Sequence, residues 1–418
     1  MKTVIIDFGS CSLNVGFGGD RNPKIQIPTL VANTQSLEKI FGDQVLKETD
    51  DPNIINEYIV KEFGEEGMIN WDYMEGLYDY VFDDQLEINL EEVNVLHAQI
   101  SMATKKEYLK IAEIFFEKFE VPFFNNMEQV VGLIASHKKQ SGMVIDIGQY
   151  STRIIPFYDS LVIKPSISFL NIGGKDLTDY LINLLALEGF YLQSQDGFHL
   201  ATKIKETFSF VNPLPYIPDL DILKKKMANL SVDDDDDFDD NHDLDLGLDD
   251  DNDDLTLDDH PKSFDEIRKD KLERNTYQML MKHGAFNSAK YQFSDQNSVF
   301  LDKIRYQCIE PLFKPYLVGK VHEGLHKMVY NSIQRCEIDI RTQVADSIIL
   351  TGGTTSIPFL KERLENELRP ILSTPINFNQ ISSLLDQNVL TWRGASVLSL
   401  MPKFPSHLIS KQEYEGKR

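Results

Sequence analysis

The chain has 418 residues, 42% of them hydrophobic, with a net charge of −24 and three cysteines. That length exceeds one simple core and predicts two domains or a two-lobed fold. No apolar run approaches the roughly 18 residues of a membrane span, no CxxC or Cys/His cluster marks a metal centre, and MKTVIIDFGSCS turns polar too early for a signal peptide. Three scattered cysteines fit a reducing compartment. The acidity is local: residues 233–259 hold 16 Asp and no Lys or Arg, two thirds of the net charge. A general nucleic-acid surface is therefore not expected, nor a membrane partner.

In chain order, short apolar runs predict strands at 4–8, 13–18, 93–96, 143–147, 151–157 and 347–350. Helical patterns lie between them. TKKEYLKIAEIFFEKFE aligns Tyr108, Ile111, Ala112, Phe115 and Phe119 on one face. KDLTDYLINLLALEG aligns Leu177, Tyr180, Leu181, Leu184 and Leu185, with Gly189 as a stop. Both stripes read as core, and the alternation predicts an α/β architecture. The Asp-rich stretch breaks the pattern. It has too little apolar surface to offset its ordering entropy, so 232–260 reads as a disordered, solvated insertion in a folded lobe.

Three turns share one plan. IIDFGSCSLNVGFGGD (5–20) runs strand, Asp7-Phe8-Gly9, small residues, strand. MVIDIGQYSTRIIPFY (143–158) repeats it at Asp146-Ile147-Gly148. SIILTGGTTSIPFLKERLENEL (347–368) runs strand, Gly352-Gly353-Thr354, then helix. Glycine permits a close backbone approach, and successive N–H groups in such turns bind anions. A helix opening at the third turn would add its N-terminus. A strand-ending Asp is costly unless used, and ordering the water shell of Mg²⁺ is one use. Together the turns predict two lobes facing each other across a nucleotide.

These segments resemble the actin family, within the superfamily it shares with sugar kinases and heat-shock chaperones. The resemblance extends through GMINWDYME (67–75), GGKDLTDYL (173–181), IKETFSFV (204–211), CEIDIR (336–341), LTGGTTSIP (350–358), TWRGASVLSL (391–400) and ISKQEY (409–414). It implies an α/β, two-lobed actin-like ATPase fold of ribonuclease H-like repeats with a central nucleotide cleft. The first lobe would comprise 1–128 plus 387–418 and the second 129–386. Carried over by position, Asp7 and Asp146 would hold Mg²⁺ through water. Gly9, Ser10 and Cys11 would form the first phosphate loop, and Gly148, Gln149 and Tyr150 the second. Gly174, Lys205 and Glu206 would stand by the nucleoside, and Gly352, Gly353 and Thr354 beneath the nucleotide, which would be ATP or ADP.

The departures bear on turnover. The family's phosphate-binding Lys is Asn14 here, a loss of about 1.5–3 kcal/mol on the scale of hydrogen bonds to charged groups. Its adenine-side Lys falls at Asn388, and its water-positioning Gln at Glu128 with Gln129 adjacent. Its second-loop His becomes Arg153, and its second-loop carboxylate becomes Gln149. Glu128, Gln129 and Arg153 are thus the candidate catalytic residues. Phosphoryl transfer depends on positioning and charge, so weak or absent hydrolysis is expected. Gly42 lies only 14 residues on from Pro28, where actins carry a longer loop that grips the next subunit. The resemblance therefore implies an actin-related subunit of a cytoskeletal or chromatin-associated assembly. Its partners would be other protein subunits, including actin or actin-related proteins, in the cytoplasm and cytoskeleton, with the nucleus as alternative. A filament-forming actin-like ATPase is the second reading and a small-molecule kinase the third. The acidic segment reads either as a plain solvated loop or as a dock for a basic partner.

Overall fold

A computed structural model describes residues 1–33, 38–47, 55–58, 60–63, 66–99, 104–192, 195–230, 263–293, 298–379 and 389–416. The Asp-rich segment, Asn388 and the lobe boundary at 387 lie outside the described residues.

The fold is α/β, with two six-stranded sheets each started by one of the Asp-x-Gly hairpins. In the first, Thr3–Phe8 pairs antiparallel with Ser12–Phe17 and parallel with Asn94–Gln99. Phe123–Glu128, Ile25–Pro28 and the short Ile409–Ser410 complete it. In the second, Gly142–Ile147 pairs antiparallel with Thr152–Tyr158 and parallel with Ile348–Thr351. The strands expected from apolar runs are present within one residue at each end, except that the one expected at 93–96 runs on to Gln99. Pro28 leads through Thr29 into Leu30–Asn33, which pairs with Lys39–Phe41 and Ile55–Tyr58 in a small separate sheet. The described residues of the short Pro28–Gly42 segment are therefore mostly two paired strands.

Strand alternation decides where the two strand-ending carboxylates point. In Thr3–Phe8, Val4, Ile6 and Phe8 enter a core with Met74, Leu77, Ile111 and Phe115, whereas Ile5 packs with Trp392 and Ala395. Asp7 follows Ile5 by two positions and so shares its face. In Gly142–Ile147, Met143, Ile145 and Ile147 join a core with Leu177, Leu181 and Leu185, whereas Val144 packs with Val130, Leu133 and Ile134. Asp146 shares the face of Val144 for the same reason.

Those two faces are bridged by one pair of helices, Gln129–His137 and Leu390–Ser399. Leu390 packs with Val144, Ile155 and Ile349 of the second sheet. Trp392, two residues on, packs on the first and donates its indole N–H to the Ile5 carbonyl at 3.1 Å. The helices touch backbone to backbone. A Cβ at Gly394 would stand 1.7 Å from the Gly132 carbonyl oxygen, and one at Gly132 would stand 2.5 Å from that of Thr391. The pair thus packs on both sheets, and strand Phe123–Glu128 of the first sheet passes directly into it.

Two local readings change. The helix expected over the Lys105–Phe119 stripe is α-helical only over Lys105–Glu113 and widens into a π-helical turn at Ile114–Lys118. Ile114, Phe115 and Phe116 are all buried, and three successive apolar residues exceed what a 3.6-residue stripe can turn inward. The third glycine turn does not open a helix directly. A 3-10 turn spans Gly353–Ser356, and helix Leu360–Leu368 starts after Phe359, whose φ is +69°. The helix N-terminus is thereby carried away from the turn.

Because the crossing leaves no room for one methyl group, Gly394→Ala is expected to cost about 1–3 kcal/mol or more of folding stability. Urea unfolding measures this, and a variant as stable as the wild type would contradict the contact.

Candidate nucleotide site

The two hairpins close identically. Gly9 N–H donates to the Ser12 carbonyl and Gly148 N–H to the Ser151 carbonyl, each at 2.9 Å. Thr29 grips the first tip: its hydroxyl donates to the Ser10 carbonyl at 2.8 Å and its N–H to the Cys11 carbonyl at 3.1 Å. The second tip is held by the first turn of helix Gly174–Leu187. There Gly174 N–H donates to the Gly148 carbonyl at 2.9 Å and Lys175 N–H to that of Gln149 at 2.8 Å. Tyr150 is buried beside it. The Thr354 hydroxyl adds a bond to the Gly148 carbonyl at 3.3 Å, which ties the third turn to the second.

Gly352 has φ +87°, and a Cβ there would lie 2.4 Å from the Ile147 carbonyl and 2.7 Å from Asp146 Oδ1. Only glycine suits both the conformation and the space. Its neighbour Gly353 has no atom within 4 Å of where a Cβ would be. At Gly174, a Cβ would meet Thr354 Oγ1 at 2.9 Å, Gln149 Oε1 at 3.0 Å and Lys205 Nζ at 3.5 Å. The buried ammonium of Lys205 donates to the Gly174 carbonyl at 2.6 Å and the Thr178 hydroxyl at 2.8 Å. Burial pulls its pKa down, opposed by the carboxylate of exposed Glu206.

The Asp7 carboxylate is buried between two amides. Gln129 Nε2 donates to Oδ1 at 2.7 Å and to the Phe8 carbonyl at 3.2 Å, and Asn14 Nδ2 reaches Oδ2 at 3.3 Å. Burial pushes its pKa up to about 7, the two amide bonds hold it down, and the charge of Asp146 raises it. Asp146 in turn faces the Arg153 guanidinium at 3.8 Å. Of the neighbouring pair in the sequence, Gln129 reaches this centre. Glu128, in register with Gln99, lies near enough to Tyr108 to add to the burial that pushes that phenol to about 12.

The glycine-lined turns and their peptide N–H groups suit the phosphates of a nucleotide. For Mg²⁺ the site suits the water shell, not the bare ion. Each carboxylate already faces nitrogen donors, and no cluster of three His, Cys, Asp or Glu occurs among the described residues. Thr29, Thr178 and the grip of Gln129 on Asp7 escape sequence reasoning. Thr29 and Thr178 are remote from what they hold, and no local pattern marks any of the three.

Asp7 provides a pH test. Its folded pKa of about 7 stands above the unfolded 3.8, so ionising it as pH rises from 4 to 7 costs folded stability, and above 7 the cost is constant. Asp7→Asn cannot ionise. Its stability relative to the wild type should rise over that window, by up to about 4 kcal/mol at about 1.4 kcal/mol per unit. Urea unfolding at several pH values measures the difference. A difference independent of pH would rule out the strained carboxylate.

The family model described as Actin matches residues 1–418. Among curated proteins, the chain is 27% identical over 422 aligned positions to one of Dictyostelium discoideum named "Putative actin-29", covering 99% of this chain and 94% of that protein.

Proposed function

The chain belongs to the actin family, and from that premise we propose that it is an ATP- or ADP-binding subunit of a larger cytoskeletal assembly, with weak or no hydrolysis. One observation carries the nucleotide reading. The second hairpin, the start of helix Gly174–Leu187 and the third glycine turn are cross-tied around Gly148 and Gly174, where Thr354, Gln149 and Lys205 meet. In this reading Gly9, Ser10 and Cys11 face the phosphates from one lobe and Gly148, Gln149 and Tyr150 from the other. Gly352, Gly353 and Thr354 lie beneath, and Lys205 and Glu206 stand on the nucleoside side. Asp7 and Asp146 would order the water around Mg²⁺, which supplies charge to the phosphates when bound.

Slow turnover follows from what the site residues already do. Asn14 gives an amide where a Lys would give a full charge, and it is spent partly on Asp7. Gln129 is tied to Asp7 and the Phe8 carbonyl, which leaves the water to Glu128, the member of the pair that lies toward Tyr108 and away from this centre. The short Pro28–Gly42 segment in place of a long loop argues for a subunit role. A repeating filament needs two complementary surfaces, and this one is short. The partners would then be other protein subunits, actin or actin-related proteins among them, in the cytoplasm. No helix among the described residues is long and apolar enough to cross a membrane.

Titrating the chain with ATP and following single-turnover hydrolysis tests the reading. Tight binding with turnover far below that of conventional actin is expected, and turnover equal to it would overturn the weak-hydrolysis part. Asn14→Lys should tighten ATP binding by about tenfold. In Mg-ATP the chain should stay in the supernatant where conventional actin sediments. A pellet would favour the filament-forming alternative.

A further inference from the structure

Two helices outside the site have the opposite charge to the rest of this chain. Leu220–Leu230 and Phe264–His283 together carry eight Lys and Arg against five Asp and Glu, in a chain of net charge −24. They form a pair. Leu223 and Met227 of the first share a core with Leu272, Tyr277 and Leu280 of the second. Lys226 reaches across to Asp270 at 3.0 Å and to Glu273 at 2.5 Å.

The carboxylates of the pair are already engaged. Asp270 and Glu273 answer Lys226, and Asp221 faces Lys303 at 3.3 Å. Glu266 accepts the Ser263 N–H at 2.8 Å and the Ser263 hydroxyl at 2.9 Å. Of the five, only Asp265 in the first helical turn stands outside these contacts. Lys224, Lys225, Arg268, Lys271 and Lys282 are exposed and make no ion pair with any described residue. On the longer helix, Arg268, Lys271, Asn275, Gln278 and Lys282 follow one another at spacings of three and four. They therefore share one face, and all five are exposed. At 1.5 Å per residue the row is about 21 Å long. Every member can donate hydrogen bonds, and none is a carboxylate.

A row of donors without acids fits a polyanionic peptide, and the chain carries one at the same place. Residues 231–262 join the two helices, and within them 233–259 hold 16 Asp and no Lys or Arg. Thirty-two residues span up to about 100 Å when extended, several times the length of the row. We propose that the row from Arg268 to Lys282 is a docking surface for a polyacidic segment, and that its occupant is the chain's own residues 233–259. Because the segment is tied to the helix pair at both ends, its effective concentration at the row exceeds that of a free acidic peptide. The contact consists of exposed charge pairs, each weak and each screened by salt. A separate acidic partner reaches the row only by displacing the tethered one. None of this depends on the nucleotide reading.

Carbodiimide cross-linking of the full chain, read by mass spectrometry, tests the contact, because it joins a carboxylate to an amine only where they touch. In about 20 mM salt, Asp residues of 233–259 should couple to Lys271 and Lys282. The yield should fall severalfold in about 500 mM salt, where the Debye length is about 4 Å. Occupancy is tested with a labelled polyaspartate peptide of the same charge as the segment. A full chain with the 16 Asp of 233–259 changed to Asn should bind it about tenfold more tightly than the wild type. Adding R268Q, K271Q and K282Q to that variant should remove about tenfold again. Thermal melting checks that the variants fold, and cross-linking of the wild type needs none. Equal binding of the peptide by the wild type and the Asn variant would overturn the proposal, since the row would then stand open to other acidic partners. So would an Asn variant that binds no peptide, or cross-links that bypass Lys271 and Lys282.

Discussion

The contact between Gly132 and Gly394 is the constraint on which the rest of this molecule depends. Two helices cross where neither has a side chain, and they are wedged between two sheets that otherwise have separate cores. The spacing between the sheets is then set by the close approach of two helix backbones and by the side chains, Leu390 and Trp392 among them, that seat the pair on each sheet. That spacing brings Asp7 and Asp146 within electrostatic range of each other. It also starts helix Gln129–His137 beside the first carboxylate, which Gln129 then holds. A larger residue at either glycine would move the sheets apart and with them both halves of the site.

The site follows from that spacing together with strand alternation. Each Asp ends a strand on the face that meets the helix pair, Asp7 buried and Asp146 about a quarter exposed, so each lies near the other. The chain handles the two carboxylates differently. Asp7 receives amides and keeps a pKa near neutrality, whereas Asp146 is given a cation. The halves share a backbone plan down to equal hydrogen bonds at the hairpin tips, yet they are electrostatically unequal. Family membership sets the plan, and the side chains at 14 and 153 set the inequality.

Much of this was legible in the sequence. Strands ending in Asp-x-Gly are short, strongly apolar and bounded by glycine, so local pattern alone locates them. The two helical stripes are likewise visible, and Leu177, Leu181 and Leu185 are buried as their spacing requires. What was not legible depends on contacts between distant residues. Nothing around Phe115 announces a π-helical turn, because that turn is imposed by the core it enters. The displaced start of helix Leu360–Leu368 follows from Phe359 adopting a left-handed conformation that a bulky residue seldom takes. The sequence places Gln129 beside the water-positioning residue, and only the fold reveals that its amide is committed to Asp7.

Thr29 has a mechanical meaning beyond its two hydrogen bonds. It sits between Pro28, the last residue of a strand in the first sheet, and Leu30, the first residue of the small separate sheet. With its hydroxyl and its N–H it clasps the tip that carries Ser10 and Cys11. The small sheet and the hairpin tip are therefore coupled through a single residue, with no flexible spacer to absorb strain. Force applied to one edge of the molecule reaches the loop at its centre across one peptide unit.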